Sequence, residues 1–570
     1  MSRPSGFDSL PRELLIKIFQ EFDNGAILNC TTVSTYFNSV GVDVILHRHN
    51  IVDASAFCEV KVLVNAKFAR PVDPLAALLA SARPPNRIKH LHCTIRLTTA
   101  TSHFGAGTLE YPPMSRDRLE ITGVFALRRL NLFLSKLKAV DKVTLNLSGL
   151  KYGLMSTPDV GPLLADLVHN IIQKGCRVLQ VKSKRSPFGD QPWTFPIPDQ
   201  ALKSPSTRRF TISSILSSIF SLCGVFKFSK KEPRKHGHRR IHSEASISPP
   251  TPQAILPRVS KLDIDSSFFH PTGSSWMSDL LAYSPLTELV VSLHSSSTPD
   301  FVQRGFPTLL QTVPRLQSLT LLSVGDKVIQ NIMPRLRPFV ALKHLSVCLD
   351  NHLSSQPISV PDTSTPFAPS NLQSLSLSPQ LIDYMILGTV TALNLKEFEI
   401  VYGQHAQVMI SSICQHVKSV RDFYEKISAP MAITLTLSCV RGVSFPSSSS
   451  SDDSDSSPQE EADGSPGVIN MLEAQYRTDL ATVNTLQIEL LPNGLEGEKN
   501  MENVLKLLSF FPKIKKLHLR GAKDFRHATG PLAVPRDVRQ VVVQPVYSTC
   551  STLAALYIAD EPYQRPLINI

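Results

Sequence analysis

LLQTVPRLQSLTL, running from Leu309 to Leu321, sets out the pattern of most of this chain. A Leu-Leu pair and a proline lead into the phrase apolar-x-x-apolar-x-apolar. The same wording returns in LLAYSPLTELVV (Leu280 to Val291) and LLSFFPKIKKLHL (Leu507 to Leu519). Further copies are LKHLSV at Leu342, LQSLSL at Leu372, LKEFEI at Leu395, VNTLQI at Val483, VRQVVV at Val538 and LAALYI at Leu553. Weaker ones are IKHLHC at Ile88, VDKVTLNL at Val140 and VSKLDI at Val259. Alternating pairs such as Leu319/Leu321 and Leu517/Leu519 predict short strands with one buried face. The intervening segments carry helical periodicity, best seen in VGPLLADLVHNIIQKG (Val160 to Gly175), which ends on glycine as helices often do.

Between Leu289 and Phe398 the fourth position of the phrase recurs every 23 to 30 residues. In wording and period this resembles the strand half of leucine-rich repeats, whose repeat is about 20–29 residues. The asparagine common in the turn of such repeats is mostly absent. The resemblance implies an irregular α/β solenoid in which neighbouring strand–helix units bury one another. It also implies an extended surface for a protein partner, formed by the positions between the leucines. Here these include Thr287, Glu288, Gln317, Ser318, Lys343, His344, Lys515, Lys516 and His518. An ordinary α/β domain with frequent strand–helix alternation is the alternative, and a merely solvated face is the alternative for any one of these residues.

Ahead of the repeats, LPRELLIKIFQEF (Leu10 to Phe22) reads as an amphipathic helix. Pro11 suits a first helical turn, and Glu13 sits at the positive end of the helix dipole. Leu14, Leu15, Ile18, Phe19 and Phe22 fall on one wide apolar face. Asp23-Asn24-Gly25 supplies a turn, then apolar runs follow over Ala26 to Val33 and Ser34 to Ile51. Three helices in so short a stretch cannot bury all their apolar surface alone, so the rest of the chain or a partner must cover it.

The order LPRELLIKIF, Val33, Tyr36-Phe37, Ile45-Leu46 and Arg48 resembles the F-box motif, over roughly Phe7 to Ile51. That resemblance implies docking onto the Skp-type adaptor of a cullin–RING ubiquitin ligase by burial of a helix face. Carried over, Leu10, Pro11, Leu14, Leu15, Ile18 and Phe19 would form the adaptor-binding surface, with Val33 and Phe37 in support. The chain would then be a non-enzymatic substrate receptor whose repeat body holds an unknown protein substrate. A helical cap that never meets an adaptor is the alternative.

The chain has 570 residues, too many for one compact core. Its 59 basic and 47 acidic residues give a net charge of +12. That balance admits nucleic acid, anionic membrane or acidic protein as contacts. Nine scattered cysteines with no CxxC pair argue against a disulfide framework and for a reducing compartment, cytoplasm or nucleus.

Two stretches interrupt the pattern. In the first, Ile212 to Phe226 reads as a serine-faced amphipathic helix, too short in its apolar run to span a bilayer. The basic run KFSKKEPRKHGHRRIHS (Lys227 to Ser243) resembles an import signal over Lys227 to Arg240 and is followed by kinase-type Ser/Thr-Pro pairs. It makes a nucleic-acid-associated protein the rival reading, although aromatic residues are not interleaved there. The second, Pro446 to Gly467, is serine-rich and acidic and is expected to be disordered.

Walker, dinucleotide, G-x-S-x-G and HExxH patterns are missing. His90 and His92 would share one strand face with Cys93 opposite, which opposes a common metal. No cofactor is expected, and neither nucleic acid nor membrane is the expected partner. The resulting division is an F-box-like motif at 1–52, repeat-like body at 53–182, insertion at 183–257, body at 258–445, acidic loop at 446–467 and C-terminal repeats at 468–570.

Overall fold

A computed structural model describes residues 10–65, 73–98, 116–149, 160–183, 258–293, 298–349, 369–389, 394–402, 408–427, 432–438, 443–444, 466–490, 495, 498–521, 532, 534–535 and 537–565. The chain divides into two compact units, Met1–Thr194 with Pro257–Ile570, and Phe195–Leu256. The second unit lies wholly outside the described residues. So do the amphipathic helix expected over Ile212 to Phe226, the basic run from Lys227, and residues 446–465 of the acidic loop.

The chain opens with three helices, α1 (Arg12–Gln20), α2 (Asn24–Cys30) and α3 (Thr35–Arg48). Each starts where the sequence supplies the chemistry for a start. The Pro11 carbonyl accepts from Leu14 and Leu15 N–H, both at 3.1 Å, at the head of α1. The Asp23 carboxylate accepts from Ala26 N–H at 2.7 Å, and the Ser34 hydroxyl accepts from Phe37 N–H at 3.2 Å. These side chains satisfy donors that a helix cannot pair internally.

Next come β1 (Phe57–Asn65), α4 (Pro74–Ala80), β2 (Arg87–Thr98), α5 (Arg116–Lys136), β3 (Ala139–Gly149), α6 (Val160–Gln173) and β4 (Val178–Lys182). Gly175 takes a φ of 78° just beyond α6, the left-handed helix exit expected of a glycine there. The strands then continue as β5 (Lys261–Asp265), β6 (Glu288–Ser292), β7 (Ser318–Val324), β8 (His344–Leu349), β9 (Ser374–Leu377) and β10 (Glu397–Tyr402). After β11 (Val408–Met409) come β12 (Ala432–Ser438), β13 (Val443–Ser444), β14 (Val483–Leu490), β15 (Lys516–Gly521), β16 (Ala555–Ile558) and β17 (Glu561–Tyr563).

Fifteen of these strands form one sheet in chain order, from β1 to β17, while β11 and β13 pair separately. Neighbours in the large sheet are parallel, except that β17 turns back antiparallel to β16. Strands on either side of residues 184–257 and 445–465 are therefore neighbours in this one sheet, β4 with β5 and β12 with β14. One-handed crossovers that always advance to the next position leave their connections on one face of a sheet. Burial follows suit. In β4, β8 and β10 every second residue is buried, and those between are partly or fully exposed. Parallel sheets are usually covered on both faces, so a half-open face is a departure.

The phrase read from the sequence explains this stacking. Its fourth positions lie directly opposite one another, with Leu289 beside Leu319, Leu319 beside Leu345, Leu345 beside Leu375, and Leu375 beside Phe398. Its first positions, such as Leu316, Leu342 and Leu372, are buried just ahead of their strands. A register shift at Ile433/Thr434 realigns β12 on β14, so that Leu435 meets Leu486 and Leu437 meets Ile488. Behind the strands, Phe269, Phe301, Phe306 and Phe339 pack edge to face in sequence, with ring centres 5.0, 6.2 and 6.0 Å apart.

One copy of the phrase is not a strand. VRQVVV at Val538 enters a π-helical turn over Arg539–Val543 that runs into an α-helix over Gln544–Thr549. Only Val542 and Val543 of that segment are buried. Consecutive apolar residues face one side of a helix as readily as a short apolar run suits a strand, so wording alone misassigns it.

Candidate functional site

The apolar stripe of α1 is wider than one neighbour can cover. Successive helical residues turn by ~100°, so Leu14 and Ile18 lie on one side of the stripe and Leu15 and Phe19 on the other. The structure splits it there. Leu15 and Phe19 are each 1% exposed, whereas Leu14 is 48% and Ile18 41% exposed. Phe22, just past the helix, adds a third open apolar side chain at 40%, and Val33, between α2 and α3, is 72% exposed.

The inward half holds the three helices together. Phe19 meets the Phe37 ring edge-on at 5.9 Å. Gly41 of α3 lies so close to α2 that a Cβ there would stand 2.8 Å from Thr31 Cγ2, so only glycine fits. The Tyr36 hydroxyl donates to the Leu10 carbonyl at 2.8 Å, fixing the start of α1. Arg48 closes its other end by donating to the carbonyls of Phe19, Gln20 and Phe22 at 2.9, 2.8 and 2.8 Å. A cation placed on the last carbonyls of a helix is favourable for the dipole as well. Arg12 and Asp43 pair at 2.6 Å on the surface.

The residues nominated from sequence thus fall into two groups. Leu14, Ile18 and Val33 are open, and Pro11 is exposed as well. Leu10 and Phe37 are half-buried, while Leu15 and Phe19 are core residues of the three-helix unit. Phe22 belongs to the open group although sequence reading placed it only on the stripe. By angle Phe22 falls between Ile18 and Leu15, nearer Leu15, so spacing gave no signal for its exposure, which comes from its place past the end of α1.

An F-box-like family model matches residues 7–51. No curated protein matches the chain. The F-box-like domain coincides with the three helices and stops before the sheet. It supports an F-box protein, and such domains typically bind Skp-type adaptors.

The open face of the sheet is polar. His90 Nε2 lies 3.3 Å from the Thr144 hydroxyl, which donates to Gln180 Oε1 at 2.8 Å, and Gln180 Nε2 donates to Asp263 Oδ2 at 3.1 Å. Burial, aided by Lys142 and His92, pushes the His90 imidazole down to about 4. Burial raises the Asp263 carboxyl above its ordinary range. His90 and His92 share this face and Cys93 lies buried on the other, as alternation predicts.

Among the nominated positions, Glu288 pairs with Lys261 at 2.7 Å and His518 stacks on Tyr557 with ring centres 4.4 Å apart. Ser318 is half-buried on β7, and His344, Lys515 and Lys516 are exposed. Thr287, Gln317 and Lys343 precede strands and carry the backbone bonds between them.

Proposed function

We propose that this chain is a non-catalytic substrate-recognition adaptor of an SCF-type, cullin–RING ubiquitin ligase. Its F-box-like domain docks a Skp-type adaptor, which carries the cullin complex, and the polar face of the sheet holds a protein substrate. The observation that carries this reading is the open apolar group of Leu14, Ile18, Phe22 and Val33 on a domain of the adaptor-binding type. Surface apolar residues scattered singly need no explanation, but four on one small unit match a helix-face interface. Leu15 and Phe19 support that interface from beneath.

The chain would supply proximity, holding substrate near a conjugating enzyme borne by other subunits. On this proposal the body is an irregular leucine-rich-repeat-like solenoid. Two features support it: in-register stacking of one phrase, and the strict chain order of the strands. A reducing compartment, cytoplasm or nucleus, belongs to the same proposal.

Pull-down of a purified Skp-type adaptor by the full chain tests it, beside a Leu14→Asp/Ile18→Asp variant that keeps its wild-type circular dichroism. Capture by wild type and loss in the variant is expected. A folded wild type that captures no adaptor would move the reading to a scaffold whose helices serve only the chain itself.

A further inference from the structure

Asn38 sits in the first third of α3, 7% exposed, a polar amide just ahead of the buried run Val40 to Val42. Its Nδ2 donates to the Thr31 carbonyl at 3.2 Å, within the F-box-like domain, and to the Ala80 carbonyl at 2.8 Å, at the end of α4. Its Oδ1 accepts from Ala82 N–H at 2.7 Å. One side chain therefore ties α2, α3 and the exit of α4 together, and a buried amide with its bonds made is a specific, geometry-dependent contact.

The far side of that tie is itself anchored. Asp73, which caps α4 through Ala76 N–H at 2.8 Å, forms a two-bond pair with Arg129 of α5 at 2.6 and 3.1 Å. Lys136 of α5 donates to the Leu79 carbonyl at 2.9 Å. The path from α3 thus runs through α4 into a helix that leads directly to β3.

A further connection is covalent. His49 to Ala56 joins α3 to β1, with Asn50 at a φ of 59° and the Asp53 carboxylate holding Ser55 N–H at 2.8 Å. Asn38 and Arg48 are ten residues apart on α3, about 15 Å at ~1.5 Å per residue. α3 also packs directly on α4, and apolar packing by itself lets two helices turn on one another. A directional attachment at that separation from the linker fixes the angle between them.

We propose that Asn38 is a positioning residue: the second point of a two-point mount that fixes the orientation of the open Leu14/Ile18 face relative to the sheet. The functional sense of this rests on the adaptor reading above. On that reading, Asn38 sets where a bound substrate lies with respect to the ligase.

The test uses the full chain, with donor and acceptor fluorophores introduced through non-canonical amino acids at the exposed positions Glu21 and Arg315. Single-molecule energy transfer then reports the distance between domain and body. Wild type is expected to give one narrow peak, and Asn38→Ala to lose it in favour of a broad or second population. Ala82→Pro removes the N–H that donates to Asn38 Oδ1 and puts a ring carbon in its place, which breaks this side of the tie without changing Asn38 itself. Ser81 is already extended at φ −58° and ψ 127°, as a residue before proline needs to be, so this variant carries the test should Asn38→Ala fail to fold.

Ile18→Asp should leave the peak narrow while abolishing adaptor capture, and Asn38→Ala should do the reverse. A broad wild-type peak would overturn the proposal. So would narrow peaks in both Asn38→Ala and Ala82→Pro, even with a lowered melting temperature, since Asn38 would then be merely structural. If no form captures the adaptor, the docking reading fails, and the distance measurement still decides the mount.

Discussion

The F-box-like domain and the sheet treat the same kind of side chain in opposite ways. In the sheet, the fourth position of the repeated phrase is buried and aligned on the fourth position of the next copy, as Leu289 on Leu319 and Leu319 on Leu345. In the N-terminal helices a comparably apolar stripe is divided, with Leu15 and Phe19 inside and Leu14, Ile18 and Phe22 in the open. The sheet places its apolar face against its own neighbouring strands and helices. The domain holds part of its face back, and that unspent part is what a partner can use.

The largest effects should come from attacking the closed half of each region. Phe19→Ala removes a fully buried ring that braces Phe37, and it should cost about 3–5 kcal/mol in chemical denaturation. Leu319→Ala, with buried leucines on either side in β6 and β8, should cost about 2–5 kcal/mol in the same assay. Equal stability of Ile18→Ala and Phe19→Ala would break the comparison, because the stripe would then be uniformly buried or uniformly open.

Removing one partner of the Asp73–Arg129 pair comes next. Their side chains are 10% and 12% exposed, and Arg129→Ala leaves the carboxylate without its cation, at a cost of about 3 kcal/mol. Replacing both with apolar residues of similar size should restore much of that loss. A melt showing the single and double variants equally unstable would contradict a paired role.

His90 gives a smaller, pH-dependent effect. Its folded imidazole titrates near 4 against an ordinary 6.5, so in that interval the unfolded chain binds the proton more readily. Stability should be at its full value above about pH 6.5, fall as pH drops toward 4, and level off below. His90→Gln should flatten this portion of the stability–pH curve. Smallest of all, Val33→Ser at an open position should shift stability by less than about 0.5 kcal/mol while weakening adaptor binding.

Much of this was legible in the sequence because both regions use periodic wording. The phrase around Leu319 encodes the strand, its buried face and its neighbour in one stretch, so the sheet's order follows from copy order. Helix α6 was equally readable, with Gly175 marking its end. VRQVVV was not, since a run of valines carries no period with which to choose between helix and strand. Neither was β12, ITLTLS without the leading leucine of the phrase.

In the candidate site, the width of the α1 stripe was plain from spacing. Which edge turned inward was not, because that depends on where α3 lies, and Gly41 sets that approach from a distance in sequence. Asn38 was invisible for a related reason. Its partners, Ala80 and Ala82, contribute only backbone atoms, which leave no mark on residue type.

The central claim is that the open half of the F-box-like domain is an adaptor-docking surface while the closed half is core. Isothermal titration of a purified Skp-type adaptor into the full chain, into Leu14→Asp/Ile18→Asp and into Val33→Ser tests it most directly. Tight binding by wild type, weakened in Val33→Ser and lost in the folded double variant, is the predicted result. Wild-type affinity in the folded double variant, or no heat of binding with any form, would contradict it.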